Sequence, residues 1–320
     1  MSRLGITLPY DSTPLAGYRE LVEELAALGY TDLWSAEASG ADGFVPLAMA
    51  AAWQPELTFG TAIVPSFTRG PATLAMCVAT MAEAAPGHFV FGLGTSSDVI
   101  VERWNGIEFV KPYQRNRDMV RFLRAALRGD KVAEEYETFS VRGFRLERPP
   151  AIVPPLLVAA LRPGMLRLAG READGTITNW LSADDVARLV PEVGAEKEIV
   201  CRIYVCPNED AAAVRAAAKP LIAAYMNVAV YAAFQEWLGR GPRLEQMWAA
   251  WRAGDRKGAV AAIGDDVVDE LVVHGSAESC REHVQRYVDN GVTVPVLMPL
   301  PFGVAPRETV RLMAPQSSGS

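Results

Sequence analysis

Cysteine and histidine are scarce in this chain of 320 residues, which has four cysteines and three histidines. The cysteines are scattered, and Cys201 and Cys206 lie in an apolar, strand-like run, so neither a disulfide scaffold nor a zinc knuckle is indicated. No histidine stands at metal-ligand spacing from a second histidine or a carboxylate. We therefore expect no metal site, and the cysteine usage fits a reducing, cytoplasmic location.

An excess of positive charge and long apolar runs are also missing. The 31 lysines and arginines are outnumbered by 38 aspartates and glutamates, which gives a formal net charge of −7. This balance argues against a protein that follows nucleic-acid phosphates, because such a protein needs a clustered basic surface. No apolar run approaches the roughly 18 residues that span a bilayer, and the first run ends at Pro9, far short of an export signal. We expect small-molecule partners, no nucleic acid and no membrane.

What the chain does contain is a regular alternation of short apolar runs with amphipathic segments. The predicted strands cover residues 4–8, 32–36, 57–64, 88–94, 156–160, 175–179, 199–205 and 294–298. The predicted helices cover residues 14–28, 45–53, 71–84, 112–127 and 276–290, with two more that begin after Pro163 and at Ser182. Eight strands with intervening helices are the count of a closed (β/α)8 TIM barrel, which is an α/β fold.

Two stretches interrupt this period. Residues 131–149 predict a small hairpin, and residues 208–263 predict a helical insertion between the seventh strand and the last helix. The insertion is either extra packing or a lid and subunit contact over the barrel mouth. A doubly wound open sheet is the alternative fold, but the glycine-rich turn typical of it is missing after the first strand. We predict one domain over residues 1–315 and a flexible tail over 316–320.

The functional site of a barrel lies at the C-terminal ends of its strands. The residues that end the predicted strands are Pro9, Tyr10, Ser35, Glu37, Ala38, 63–66, 94–97, 159–161, Asn179, Trp180 and 298–300. These positions are short of acids, bases and nucleophiles. Such a site suits a bound organic cofactor that carries the reaction while the protein supplies orientation and electrostatics. The pattern points away from hydrolases.

The most informative segment follows the fifth strand, over residues 159–167. Pro163 suits the first turn of a helix, and Gly164 lets the backbone approach a ligand closely. The free N–H groups of that turn and the helix dipole favour a phosphate, to which Arg162 would add a charge-assisted bond. An ordinary strand-to-helix turn explains the same residues equally simply.

A glycine pair at the end of the fourth strand is a second candidate. Gly92 and Gly94, followed by hydroxyl residues over 95–97, would let a flat ring lie against the backbone, although a tight turn also explains them. A third candidate, Arg69, stands just before the third helix. We expect it to anchor that helix through a buried ion pair, for example to Glu37 or Glu83.

Five segments carry a resemblance to a known family. They are TAIVPSFTRGP from residue 61, FVFGLGTSS from 89, ERWNGIEFVKPYQR from 102, LLVAALRPGMLRLAGREADGTITNW from 156 and HGSAESCREHVQRYVDNGVTVPVLMP from 274. In their order and spacing they resemble the luciferase-like monooxygenase superfamily. Within it, they are most similar to the actinobacterial branch of oxidoreductases that depend on coenzyme F420, a 5-deazaflavin. The resemblance runs over essentially the whole chain.

The resemblance implies a TIM barrel that holds a flavin-type ring at its C-terminal mouth, and usually a homodimer. It also implies a non-prolyl cis peptide at the end of the third strand, behind the ring. The cofactor phosphate would bind the turn after the fifth strand, with the loop over 92–97 near the phosphate and the ring. The implied cofactor-binding residues are Ala62, Ile63, Gly94, Thr95, Ser96, Ala159, Ala160, Arg162, Gly164 and Met165.

The chain departs from the relatives that oxidise alcohols or sugar phosphates. Those relatives have an acid followed by histidine after the second strand and a glutamate in the fourth-strand loop, where this chain has Glu37-Ala38 and Ser97. The missing acid–base pair argues against alcohol oxidation, which needs a base near the hydroxyl. The resemblance then implies reduction of an activated C=C, C=N or nitro group. The hydride would come from C5 of the cofactor and the proton from Tyr10, Glu37 or water.

Both the cofactor and the activity have an alternative. FMN relatives use the same barrel, and an FMN-dependent monooxygenase needs a true flavin because a 5-deazaflavin reacts poorly with oxygen. Arg162 and Arg167 near the phosphate turn favour F420, whose oligoglutamate tail is acidic. A non-catalytic F420-binding protein also fits the missing acid–base pair. The resemblance favours an F420-dependent oxidoreductase over both.

Overall fold

Eight parallel strands close into a barrel in the computed structural model, which describes residues 3–315. In chain order they are β1 Gly5–Leu8, β2 Asp32–Ser35, β3 Thr58–Thr61, β4 Phe89–Gly94, β5 Leu156–Ala159, β6 Gly175–Asn179, β7 Glu198–Cys206 and β8 Val294–Pro299. β1 pairs with β2 on one side and β8 on the other, and the pairing of β6 with β7 belongs to the same closed ring. The predicted TIM barrel is confirmed, whereas the predicted tail over 316–320 lies outside the described residues.

Helices surround the barrel. They are α1 Tyr18–Ala27, α2 Val45–Trp53, α3 Pro71–Ala84, α4 Pro112–Leu127, α5 Pro163–Glu172, α6 Val186–Val193, α7 Ala211–Met226, α8 Ala229–Trp237, α9 Gly241–Arg252, α10 Arg256–Ala261, α11 Asp265–Leu271, α12 Ala277–Asp289 and α13 Pro306–Leu312. Proline stands in the first turn of α2, α3, α4 and α5, where its missing N–H removes no helical hydrogen bond. Proline therefore marks helix starts that follow β2, β3, β4 and β5.

Alternate residues of each strand face the barrel lumen, and the others face the helices. In β7, Cys201 and Ile203 pack in the large outer core, whereas Val200 packs in the lumen. The lumen is filled largely by Trp34, because Gly60 offers it space on β3. A Cβ atom on Gly60 would lie 2.3 Å from the indole ring. The lower barrel is thus a packed core, and the C-terminal end is left for a site.

Several bounds differ from the prediction. β3 ends at Thr61, and after a cis peptide between Ala62 and Ile63 a two-residue strand, Val64–Pro65, pairs with β4. The segment that follows β4 forms a helical turn over Val99–Trp104, which was not among the predicted helices. α11 and α13 were not predicted. Their sequences are short, and their burial against the body of the chain gives them a stability that local periodicity does not reveal.

Two segments depart from the alternation of strands and helices that builds the barrel. Strands Val132–Glu135 and Ser140–Phe144 form the predicted antiparallel hairpin. α7 to α10 form the predicted helical insertion, which has a core of its own and packs on Trp180 and Tyr204 at the ends of β6 and β7. In the described part of the chain no single helix is long and apolar enough to cross a bilayer. Only α7 and α8 taken together meet that test, and they are bent by 104°.

A buried arginine fastens this insertion to the barrel. The Arg240 side chain is 2 % exposed and lies 2.6 Å from both Asp185 and Glu270. It also donates to the side chain of Gln235, whose amide nitrogen donates to the Trp180 carbonyl at 2.7 Å. A guanidinium that is removed from water needs such partners, because an uncompensated buried charge is costly. Arg240 therefore fixes α8 and α9 against the loop that precedes α6.

We expect Arg240→Met to destabilise the protein by about 3 kcal/mol, since it leaves Asp185 buried without its counter-charge. The measurement is the midpoint of urea unfolding followed by circular dichroism. Arg243→Met is the matched control, because Arg243 pairs with Asp266 and Glu270 at a more exposed position. The control should cost about 1 kcal/mol or less. Equal losses in the two variants would contradict the anchoring role.

Candidate functional site

The close contact between the neighbouring strands β3 and β4 shapes the floor of the barrel mouth. The Ala62–Ile63 peptide is cis, as the family resemblance implied. A Cβ atom on Gly92 would lie 1.9 Å from the Thr61 carbonyl oxygen, and one on Gly94 would lie 2.7 Å from the Ile63 side chain. Both glycines are therefore explained by close packing against β3. The flat surface that they were expected to offer is covered, at Gly94, by the Ile63 side chain.

The start of α5 presents unpaired backbone donors at the same rim. Pro163 and Gly164 open the helix, and the N–H groups of Gly164 and Met165 have no backbone acceptor among the described residues. A Cβ atom on Gly164 would meet nothing within 4 Å, so the turn faces open space. Arg162, at the N-cap position, is exposed and makes no ion pair in the described part of the chain. The turn has the features of an anion site.

Arg167, which was expected to be available beside this turn, is engaged elsewhere. Its guanidinium lies 2.8 Å from Glu192 and is more than half exposed. Arg162 is thus the basic side chain of the α5 start that is left for a ligand. The correction arises because Arg167 is placed one helical turn farther on, beside the neighbouring helix α6.

The hydroxyl residues after β4 differ in whether their hydroxyl groups are used within the chain. Ser96 has a positive φ of 64°, which turns the chain sharply at the rim. Thr95 donates to the Ser96 carbonyl at 3.2 Å, and the Ser97 hydroxyl accepts from the N–H of Ile100 at 3.4 Å. Ser97 therefore caps the helical turn that follows, whereas the Ser96 hydroxyl makes no hydrogen bond with the described residues.

Glu37 is held in an ion pair. Its carboxylate accepts from two guanidinium nitrogens of Arg69 at 2.6 and 2.7 Å and from the N–H of Gly43 at 3.0 Å. Arg69 also bonds to Asp42 at 2.7 Å, and the hydrogen bonds to Glu37 raise the pKa of the guanidinium. The prediction left Glu37 and Glu83 open as partners, and the structure pairs Arg69 with Glu37, whereas Glu83 pairs with Arg148. The pairing with Arg69 also means that the predicted proton donor has both of its oxygen atoms occupied as acceptors.

Tyr10 lies on the outer side of the barrel. Its ring packs edge-on against Tyr18 of α1, with 6.1 Å between ring centroids, and belongs to the core between strands and helices. The charges that act on its phenol are those of Asp11, Glu24 and Arg307, on or beside α1 and α13. Burial raises the pKa of Tyr10. Its predicted part in proton transfer is therefore not favoured by this placement.

The structure brings together a polar cluster that the sequence analysis missed. Arg202 of β7 is in register with Asn179 of β6, so both side chains project into the mouth. The Asn179 amide donates to the hydroxyl of Tyr231 at 3.5 Å, and Tyr204 stacks on Trp180 with 3.9 Å between ring centroids. The signal was present, because Arg202 and Tyr204 alternate with apolar residues in β7.

Chemically, the mouth offers donors and apolar walls but few free acids or bases. Two carboxylates of its rim, those of Glu37 and Asp42, are paired with Arg69. The phenols of Tyr204 and Tyr231 have raised pKa values because they are buried, so they remain protonated. Such a site can orient and polarise a bound group. These features suit a site in which a bound organic cofactor carries the reaction.

Comparison with known proteins agrees with this architecture. A protein of Mycobacterium tuberculosis, whose name assigns it coenzyme F420-dependent oxidoreductase activity only by proposal, is 25% identical over 92% of this chain and 94% of its own length. The structure of the coenzyme F420-dependent tetrahydromethanopterin reductase from Methanopyrus kandleri superposes with a TM-score of 0.79 at 19% identity, covering 98% of this chain and 97% of that one. An F420-dependent secondary alcohol dehydrogenase, solved with an F420-acetone adduct, has a TM-score of 0.77 at 14% identity, covering 97% and 98%.

The family model for the luciferase-like monooxygenases matches residues 2–294, a span that contains β1 to β7 and ends at the first residue of β8. That span contains the cis peptide, the α5 turn and the helical insertion. The chain belongs to the luciferase-like monooxygenase family.

Proposed function

We propose that this protein is a coenzyme F420-dependent oxidoreductase that transfers a hydride between the deazaflavin C5 and a small organic substrate. The substrate would carry an activated C=C, C=N or nitro group. The F420-dependent relatives support the cofactor. The single observation that carries the proposal is the open turn at Gly164, whose free N–H groups face the same rim as the cis peptide of β3.

The residues of the mouth fit the chemistry of this cofactor. The N–H groups of Gly164 and Met165, with the Arg162 guanidinium, would hold its phosphate, since helix starts attract anions. Ile63 and Ala159 would provide an apolar surface for the ring. The hydroxyls of Thr95 and Ser96 would lie between the two. When bound, F420 supplies a carbon centre that accepts or donates a hydride.

The chain itself would orient the substrate, exclude water and manage the proton. The insertion α7–α10 packs over the ends of β6 and β7 and narrows access from solvent. Both oxygen atoms of Glu37 accept hydrogen bonds from Arg69 or Gly43, so we propose that Glu37 fixes the loop to Gly43 and that the proton comes from water. Alcohol oxidation needs a free general base beside the hydroxyl group. Glu37 is paired with Arg69 and Tyr10 lies on the outer side of the barrel, so neither is such a base. Reduction of the substrate therefore fits the site better than alcohol oxidation.

The proposed phosphate site predicts the effect of Gly164→Leu. The added side chain would fill the open space at the turn, so affinity for F420 should fall at least about tenfold, the loss of roughly one charge-assisted hydrogen bond. Quenching of F420 fluorescence on titration with protein measures the dissociation constant. Tight binding of FMN by the unaltered protein, with no response to F420, would contradict the proposed cofactor.

Gly70→Leu is the matched control. Gly70 precedes Pro71 at the start of α3, and a Cβ atom there also meets nothing within 4 Å. We expect F420 affinity to change less than about twofold, because the α3 start is not assigned to phosphate.

A separate measurement distinguishes an enzyme from a binding protein. If reduced F420 is not oxidised faster by para-nitrobenzoate or cyclohexenone with protein than without, a binding protein replaces the enzyme as the better description.

A second prediction concerns the proton. Glu37→Gln keeps the side-chain shape but removes the charge opposite Arg69, so stability should fall by on the order of 1–2 kcal/mol. We expect the pH profile of reduced F420 oxidation to keep its shape, because water supplies the proton. Steady-state rates over a pH series and thermal unfolding of both proteins measure the two effects. Loss of one limb of the profile in the variant would restore Glu37 as the donor.

We also propose a homodimer, in which α2 and α3 form the contact. α2 has no charged residue, and α3 has only Glu83, near its end. Met76 is 49% exposed on α3, and Val45 is 49% exposed at the start of α2. A helix that is apolar on its outer face as well as its inner face is usually covered. A second copy of the chain would cover both helices at once.

Met76→Glu should dissociate this dimer, because it places a carboxylate in an apolar contact. Sedimentation velocity over a concentration series measures the oligomeric state. Ile152→Glu serves as the comparison, since Ile152 is 54% exposed and lies beside Gly87, past the C-terminal end of α3. A monomer for the unaltered protein, or dissociation by Ile152→Glu alone, would rule out the proposed contact.

A further inference from the structure

Arg202 is a cation inside the barrel mouth. It projects from β7, on the same face of the strand as Val200 and Tyr204, which also point inward. One guanidinium nitrogen donates to the Ala62 carbonyl oxygen at 3.3 Å, which places the head group beside the cis peptide. Arg202 therefore reaches across the mouth to the floor that Ile63 forms.

The guanidinium is poorly satisfied by the chain. Its Nε atom is buried and has no hydrogen-bond partner, and a second nitrogen contacts the Met298 sulfur, which is a weak acceptor. Among residues 3–315 no carboxylate forms an ion pair with Arg202, whereas Arg69 at the same rim has two. A charge that is largely withdrawn from water is normally matched by an opposite charge.

The neighbours of Arg202 are also donors. The amide nitrogen of Asn179 donates to the Tyr231 hydroxyl, which leaves the phenolic O–H free to donate onward. The Tyr204 hydroxyl lies close to the Asn179 side chain, and the charge of Arg202 acts on both phenols. Burial raises the pKa of Tyr204 and of Tyr231, so neither becomes an anion that could neutralise the guanidinium.

We infer that Arg202, together with Asn179 and Tyr231, binds a carboxylate of the substrate. A planar carboxylate accepts two parallel hydrogen bonds from a guanidinium and supplies the missing charge. The aromatic walls of Trp180 and Tyr204 suit a flat, unsaturated body behind that group. The inference rests on the proposed function for the reacting group, and it narrows the substrate to compounds that carry a carboxylate apart from the bond that is reduced.

The probes are para-nitrobenzoate and its neutral counterpart para-nitrobenzamide. Both are titrated calorimetrically into the full chain, with oxidised F420 to prevent turnover and again without cofactor. We expect the carboxylate to bind at least about tenfold tighter than the amide, the difference that one charge-assisted contact supplies. Equal affinities for the two probes would overturn the inference. Because the titration without cofactor does not involve F420, a failure of the proposed cofactor is seen separately.

Two substitutions locate the effect. Arg202→Met removes the charge, and Asn179→Asp offers the guanidinium a carboxylate of its own with almost no change in shape. Each should abolish the preference for para-nitrobenzoate while affinity for F420 changes less than about twofold. Arg202→Lys should keep part of the preference, because the charge stays and the planar fork is lost.

Arg252→Met is the control, since Arg252 is an exposed cation at the end of α9, on the insertion but outside the mouth. It should leave the preference for the carboxylate intact. If Arg202→Met weakens F420 binding and leaves the probe preference unchanged, Arg202 serves the cofactor and the inference is wrong. A preserved preference in Asn179→Asp would likewise contradict it, whether or not Arg202→Met folds.

Discussion

The close approach of β3 to β4 is the constraint on which the mouth depends. Thr61 exchanges two side-chain hydrogen bonds with the backbone of Gly92, at 2.8 and 2.9 Å, and this is feasible because Gly92 has no side chain. The chain then turns at Ala62 so that Ile63 covers Gly94 and the Ala62 carbonyl faces Arg202. One contact between two strands thus sets the apolar floor and the position of the cation above it.

Much of the fold could be predicted because the period of the chain is regular. The bounds of α2, α3 and α4 follow from proline at the helix start and apolar periodicity, and β6 was predicted with its observed ends. The short elements were missed, since the turn after β4, α11 and α13 depend on packing against distant parts of the chain. Trp34 shows what the sequence alone cannot predict. It packs against Gly60 of the neighbouring strand, and this contact cannot be inferred from the sequence of either strand by itself.

The candidate site was less accessible to sequence reasoning. Arg69 could be matched to an acid by charge, although two acids were available and only the fold selects Glu37. The direction of Tyr10 could not be inferred, because alternation ends with β1 and the ring is placed by α1 and α13. Arg202 was overlooked for the opposite reason. Arg202 lies within a buried strand. The alternation of side chains along that strand places Arg202 on the same face as Val200, so its direction into the barrel lumen could have been predicted.

The two arginines of the mouth, Arg69 and Arg202, differ in how far their charges are compensated. The carboxylates of Glu37 and Asp42 neutralise the charge of Arg69. Arg69 can therefore stiffen a loop, but it attracts an anionic ligand only weakly. Arg202 is opposed by a carbonyl and a sulfur, which leave most of its charge uncompensated. Few free acids or bases line this site. Selectivity for the substrate would therefore come from a donor with an uncompensated charge, such as Arg202, rather than from proton transfer. The proposed recognition of a substrate carboxylate therefore lies on the β6–β7 side of the rim, away from the loop that Arg69 holds.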